Sequence, residues 1–184
     1  MESAVSDSKT REREFDAVAL HETLNAERTR RGLSWRLAAD QIWEQSAELN
    51  EQNQDHPISP STLTGIAKRG DTTCQHALFI LRWLERTPES FLSPAVVHPE
   101  RTRLPVAGPD RRLRWDLPAL YLAVNSRRRD QELSWGELAK ELRCSEHQLR
   151  GIRTARYAIG MRLAMRVVQW LDCPASTFIH AGKW

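Results

Sequence analysis

Apolar side chains at Leu117, Leu120, Tyr121 and Val124 follow the i, i+3, i+4, i+7 spacing of a helix with one buried stripe. The stripe lapses near Asp130-Gln131-Glu132. Ser134 then stands at the N-cap of a second helix, with Glu137 completing a capping box and Leu138, Ala139 and Leu142 inward. Beyond a tight turn at Arg143-Cys144, Ser145 caps a third helix resting on Leu149 and Ile152. A longer fourth helix carries Ile159, Leu163, Val167, Val168 and Leu171. Cys173-Pro174 breaks it, and a short last turn returns Phe178 to the core. No segment alternates with period two, so no strands are expected and the fold class is all-α.

The same pattern is written earlier in the chain. LSW occurs at Leu33-Ser34-Trp35 and again at Leu133-Ser134-Trp135, and the flanks agree without a gap. Phe15 falls on Trp115, Asp16 on Asp116, Leu20 on Leu120, Asn25 on Asn125 and Arg28 on Arg128. Farther on, Leu63, Gly65 and Ile66 match Leu149, Gly151 and Ile152, and Trp83-Leu84 match Trp170-Leu171. Ordered matches over some seventy positions mark an internal duplication, hence two small domains. The expected division is a disordered polar tail over 1–14, a first domain over 15–92, a Pro-rich linker over 93–113 and a second domain over 114–184. The first copy carries an insertion at 43–57, expected as a second helix extended to about Glu51 and then a polar loop ended by Pro57.

About five short helices per copy, the second and third joined by a tight turn, make a helix-turn-helix arrangement. LSWGELAKELRCSEHQLRGI resembles the DNA-binding domains of the lambda repressor/Cro (Xre-type) family, and the resemblance covers both copies. It implies two tandem helix-turn-helix domains whose third helices enter the major groove of double-stranded DNA. Base-reading positions carried over from the family are Ser61, Thr62 and Thr64 in the first copy and His147, Gln148 and Arg150 in the second. Pro60 and Glu146 also face outward. Gln148 suits an adenine edge and Arg150 a guanine; Glu146 suits cytosine N4 or simply the helix start. Phosphate contacts are expected from Ser34, Trp35, Lys68, Arg69, Ser134, Trp135, Arg153 and Arg156. For Trp35 and Trp135, packing over the first helix is the competing reading. At Arg28 and Arg128 a structural ion pair competes with DNA contact.

Charge sharpens the asymmetry between the copies. Residues 15–92 hold eight Lys/Arg against eleven Asp/Glu, whereas residues 111–179 hold thirteen against seven, within an overall net charge of +3. Cation concentrated on the second copy suits a polyanionic partner. Glu44, Glu48, Glu51 and Asp55 of the insertion would be repelled by phosphate and are expected to point away from it, leaving 43–57 as a surface for a protein partner. Two readings stand: both copies contact DNA, or only the second does while the first binds protein. The linker, with Pro94, Pro99, Pro105 and Pro109, is long enough at roughly 3 Å per residue to place two reading heads on adjacent groove faces. A single chain would then act as a pseudo-dimer, without excluding a homodimer. In the alternative, Val96, Val97, Leu104 and Val106 pack the linker against the domains.

Other chemistry is thin. Cys74, Cys144 and Cys173 share no CxxC spacing and there is no signal-peptide core, so free thiols and a cytoplasmic, nucleoid-associated protein are expected. Cys74-Gln75-His76 reads as packing, as does His21, and no phosphate-binding loop or HExxH occurs. No enzyme activity, cofactor, metal or membrane span is expected. The expected function is a sequence-specific transcriptional regulator, a repressor before an activator. A protein-binding regulator such as an antitoxin or anti-activator on the same fold, with only the second copy on DNA, is the alternative.

Overall fold

The computed structural model describes residues 13–53, 55–94, 102–154 and 159–183. Its first half runs β1 (Glu14–Phe15), α1 (Ala17–Arg30), α2 (Trp35–Glu44), α3 (Ala47–Gln52), α4 (Pro60–Thr64), α5 (Ile66–Arg69), α6 (Cys74–Leu84) and β2 (Leu92–Ser93). The second runs β3 (Arg112–Trp115), α7 (Leu117–Asp130), α8 (Trp135–Glu141), α9 (Glu146–Gly151), α10 (Met161–Trp170) and β4 (Ile179–Gly182). Helix dominates, as the apolar spacing requires.

Both halves fold on the same local signals. Asp16 and Asp116 each accept an N–H at 2.9 Å, from Ala19 and Ala119, and so open α1 and α7. Ser34, Ser59, Ser134 and Ser145 cap α2, α4, α8 and α9. The Ser134–Glu137 capping box forms, and Ser145 builds a second one with Gln148. The buried stripes coincide position for position: Leu20, Leu24, Ala39, Ile42, Leu63 and Ile66 answer to Leu120, Val124, Ala139, Leu142, Leu149 and Ile152. Each Leu, Ile or Val among them contributes about 1.5–3 kcal/mol on burial.

Two expectations are overturned. Strands do occur: β1 pairs with β2 through Phe15↔Leu92, and β3 pairs with β4 through Trp115↔Ile179, both antiparallel. Ladders of two to four residues are too short to write a period-two pattern. The second helix also stops at Glu44, well short of Glu51. Gln45 and Ser46 pull the chain off the helical path. Gln45 Nε2 donates to the Phe79 carbonyl at 3.1 Å, its own carbonyl accepts Arg82 at 2.7 Å, and Ser46 Oγ donates to the Arg111 carbonyl at 2.7 Å. The insertion therefore restarts as a separate helix, α3, which buries Leu49 completely.

The halves share one hydrophobic core and interlock with an approximate twofold relation. The last long helix of each half packs on the strand that opens the other, α6 on β3 and α10 on β1. At the centre Thr73 bridges Gly160, with Cys74 N–H on the Ile159 carbonyl and Met161 N–H on the Thr72 carbonyl, both 2.8 Å. Gly160 has no side chain to cap α10, so Asp71 reaches across and accepts the Arg162 N–H at 3.3 Å. A Cβ at Gly160 would lie 2.2 Å from Asp71 Oδ2, which favours glycine there. Arg82 and Gln169 occupy matching places. Arg82 donates to the Ala107, Gly108 and Arg111 carbonyls at 2.7, 3.1 and 3.0 Å, while Gln169 donates to the Arg13 carbonyl at 2.8 Å.

The insertion adds a clasp with no counterpart in the second half. Leu49 N–H donates to the Pro109 carbonyl at 3.2 Å. Arg112, its side chain 3% exposed, lies over Trp43 at 4.5 Å and Phe79 at 5.9 Å, and donates to Asp55 and Asn50, both at 2.5 Å. Asp55 pairs with Arg112 while its carboxylate stays half exposed, and Glu44, Glu48 and Glu51 are exposed as well. Of the linker residues, Leu104 packs on the core and Val106 is 96% exposed; Val96 and Val97 lie outside the described residues. With a shared core, spacing between the halves is set by their interface rather than by linker reach.

Arg112→Ala is expected to cost about 2–4 kcal/mol, because it empties a buried slot between two aromatic rings. Asp55→Ala should cost under about 1 kcal/mol, since that carboxylate is half exposed. Denaturant titration checks both, and equal losses would refute the assignment. Half-buried His76 on α6 is held below its ordinary value of 6.5 by desolvation and then by Arg69. Its contribution to stability is therefore complete above that value and declines as pH falls below it. His76→Leu, which places there the residue found at the matching Leu163, should flatten the stability profile below pH 6.5 (thermal melts across pH).

Candidate nucleic-acid interface

The repeated tripeptide is the junction of a small side-chain module. In the first half Arg28 donates to Asn25 Oδ1 through Nε at 3.1 Å and Nη2 at 2.8 Å, and through Nη1 to the Leu33 carbonyl. In the second, Arg128 donates to Asn125 at 2.9 Å and to the Leu133 carbonyl at 2.5 Å. Both guanidinium groups lie 4.7 Å above an indole, Trp35 or Trp135. The indoles stack in turn on His21 and Tyr121, each at 5.5 Å between ring centres. So packing over the first helix is what Trp35 and Trp135 do. The structural ion pair weighed for Arg28 and Arg128 is replaced by a hydrogen-bonded fork on an asparagine and a carbonyl. The module fixes the end of the first helix against the start of the second, and Ser34 and Ser134 cap from the same turn.

On that base sit the third-helix positions. Leu63 and Leu149 are fully buried beneath α4 and α9. Above them Ser61, Thr64, His147, Gln148 and Arg150 are exposed and Thr62 is half-buried. In α4 the hydroxyls are tied together, Ser59 Oγ lying 2.9 Å from both Ser61 Oγ and Thr62 Oγ1. Arg69 turns back over α4 to donate to the Thr62 carbonyl at 2.8 Å, passing where a Cβ on Gly65 would stand. Lys68, within α5, and Arg153, after α9, are exposed, and Arg156 lies outside the described residues. In α9, Gln148 spends its carbonyl oxygen on the Ser145 N–H at 2.9 Å. Arg150 donates through Nε to Glu146 Oε1 at 2.8 Å, with Nη2 2.7 Å from the same oxygen, and lies 5.4 Å from the Trp135 ring centre.

Sequence reasoning missed Glu146 as the partner of Arg150, although the i, i+4 spacing announces it. It also missed that first-half carboxylates quench second-half cations. Glu14 binds Arg166 at 2.9 Å and lies 3.7 Å from Arg143, while Arg166 also donates to the Leu142 and Arg143 carbonyls at 3.1 Å each. The positive excess of the second copy is thus partly internal. Arg112, Arg143 and Arg166 steady the joint, and Arg150 and Arg153 remain on the exposed face.

Cys74, Cys144 and Cys173 are free, and burial raises all three thiols, most of all Cys74. Such thiols are poor nucleophiles. Among the described residues no cluster of His, Cys, Asp and Glu could hold a metal ion, and no helix is long and apolar enough to cross a membrane. Comparison with family models, with curated proteins and with solved structures returned no match.

Arg128→Ala should destabilise the protein by about 1–3 kcal/mol, leaving the Asn125 side chain and the Leu133 carbonyl unpaired. Arg128→Lys should recover little, because one ammonium cannot both fork and stack. Calorimetric melting that finds Lys equal to Arg would refute this role.

Proposed function

We propose that the chain is a sequence-specific double-stranded DNA-binding transcriptional regulator, a repressor before an activator, built as two tandem lambda-repressor/Cro-like helix-turn-helix domains. The observation that carries this reading is the pair of third helices. Each is capped by a serine at the turn after the second helix, rests on a fully buried leucine, and offers polar side chains outward. The outward face of α9 carries Glu, His, Gln and Arg, side chains able to hydrogen-bond base edges. The likeness of the two halves, and the joint that holds them, support action as a single-chain pseudo-dimer. One chain would present α4 and α9 to successive major grooves, with no second chain required.

In this reading Ser61, Thr62, Thr64, His147, Gln148 and Arg150 meet base edges, while Ser34, Ser134, Lys68, Arg69, Arg153 and Arg156 meet the sugar-phosphate chain. Two readers enter already committed. Gln148 keeps only its amide N–H groups for an acceptor, and Arg150 arrives held by Glu146. The two helices also differ in character, hydroxyl-bearing in the first and charged in the second. The two half-sites should therefore differ, and the full site need not be palindromic.

Exposed Glu44, Glu48 and Glu51 keep the alternative in view, that of a protein-binding regulator touching DNA through its second half alone. Selection from a random duplex pool separates the two, because two unlike half-sites bound by one chain require both heads. A single short motif, or two chains on a strict palindrome, would refute the pseudo-dimer. Arg150→Ala should cost about 1–3 kcal/mol at one base position, and Arg153→Ala should weaken all duplexes alike and reduce the salt slope by about 1.

A further inference from the structure

The DNA-reading proposal leaves Glu146 unused, yet it is the acidic side chain on the exposed face of α9. It is also the one that grips the strongest candidate reader. Guanidinium has two donor edges. Glu146 Oε1 sits against one edge, accepting the Nε N–H at 2.8 Å and lying 2.7 Å from Nη2 as an ion pair. The opposite end, Nη1 with the second N–H of Nη2, makes no hydrogen bond to a described side chain. That end is the fork that fits guanine O6 and N7. Trp135 backs the group from 5.4 Å, and Arg128 of the LSW module lies over the same indole.

We infer that Glu146 is a specificity-determining residue that positions Arg150, selecting guanine in a G·C pair on the second half-site; this rests on the DNA-binding reading. It acts in two ways. Holding one edge fixes the guanidinium plane before binding, so fewer rotamers are lost when the fork closes on a base. Its carboxylate also sets a negative charge beside the fork, which repels a phosphate oxygen, a full anion, far more than the neutral acceptors of a base edge. A cytosine N4 amine on the neighbouring strand is a donor and is welcome there. Without Glu146, Arg150 is a flexible cation as well suited to a phosphate as to a base.

The test uses the full chain, the duplex selected by the wild-type protein, and variants of that duplex with each base pair replaced. Wild type and Glu146→Gln are compared by equilibrium binding, with Arg150→Ala and the double variant alongside. Wild type should discriminate roughly ten- to a hundredfold at one G·C pair. Glu146→Gln should lose most of that discrimination there and leave other positions unchanged. Affinity for the best duplex should change less than the discrimination does. In the Arg150→Ala background the same substitution should do nothing further at that pair. Uniform strengthening on every duplex would show that Glu146 only blocks DNA and would overturn the inference. So would unchanged discrimination at every position. Absence of any sequence preference in the wild type would instead overturn the DNA-reading proposal itself. Melting curves confirm folding, which an exposed i, i+4 pair scarcely affects.

Discussion

The rest of the structure depends on an exchange: each half lays its last long helix on the strand that opens the other. The strands are tiny and the helices short, so neither ribbon is a stable element alone. What holds them is reciprocity. α6 covers β3, α10 covers β1, and the chain crosses the pseudo-axis at Thr73 and Gly160, where the backbones hydrogen-bond directly. Asp71 capping α10 from across the joint shows how far the exchange reaches, since a local helix end is completed by the other half. A joint made this way fixes orientation as well as distance.

Electrostatics follows from the same exchange. Counted along the chain, the first half is acidic and the second basic, which invites the idea of one DNA-binding half beside an inert one. In space, Glu14 and Asp55 are spent on Arg166, Arg143 and Arg112. The imbalance is the signature of complementary partners at an internal interface at least as much as of a polyanion outside. Arg82 makes the point in another way. It reaches five neutral acceptors and is desolvated, so its worth lies in tying backbone carbonyls together rather than in an ion pair.

Much of the local structure was legible in the sequence, for a physical reason. Caps and apolar stripes act within a few residues, so Ser134 with Glu137 and the Leu120–Val124 stripe could be read directly. The two copies proofread each other, which is why Asn25, Arg28, Leu33, Ser34 and Trp35 stood out before their contacts were known. What failed was long-range. The strands exist because distant segments return to one another, and α2 stops because Gln45 and Ser46 find partners on Phe79, Arg82 and Arg111. The candidate site divides along the same line. Exposure of Arg150 and burial of Leu149 follow from helical period, whereas commitment of Gln148 to a cap and of Arg69 to a carbonyl depends on rotamers no pattern encodes.

A duplicated domain faces a problem of its own, because halves that recognise each other in one chain can also recognise those of another. Equal halves would close a symmetric pair as readily between chains as within one. Two features weigh toward the internal pairing. Tethering makes the second contact intramolecular, at an effective concentration that free chains seldom match. The clasp of α3, Asn50, Asp55 and Arg112 then breaks the symmetry, since it exists on one side and couples the first half to the segment that leads into the second. A symmetric assembly of two first halves would leave that buried cation without its slot. The insertion is therefore better understood as the element that makes two similar halves into one asymmetric molecule, so that two unlike third helices are carried in a fixed order.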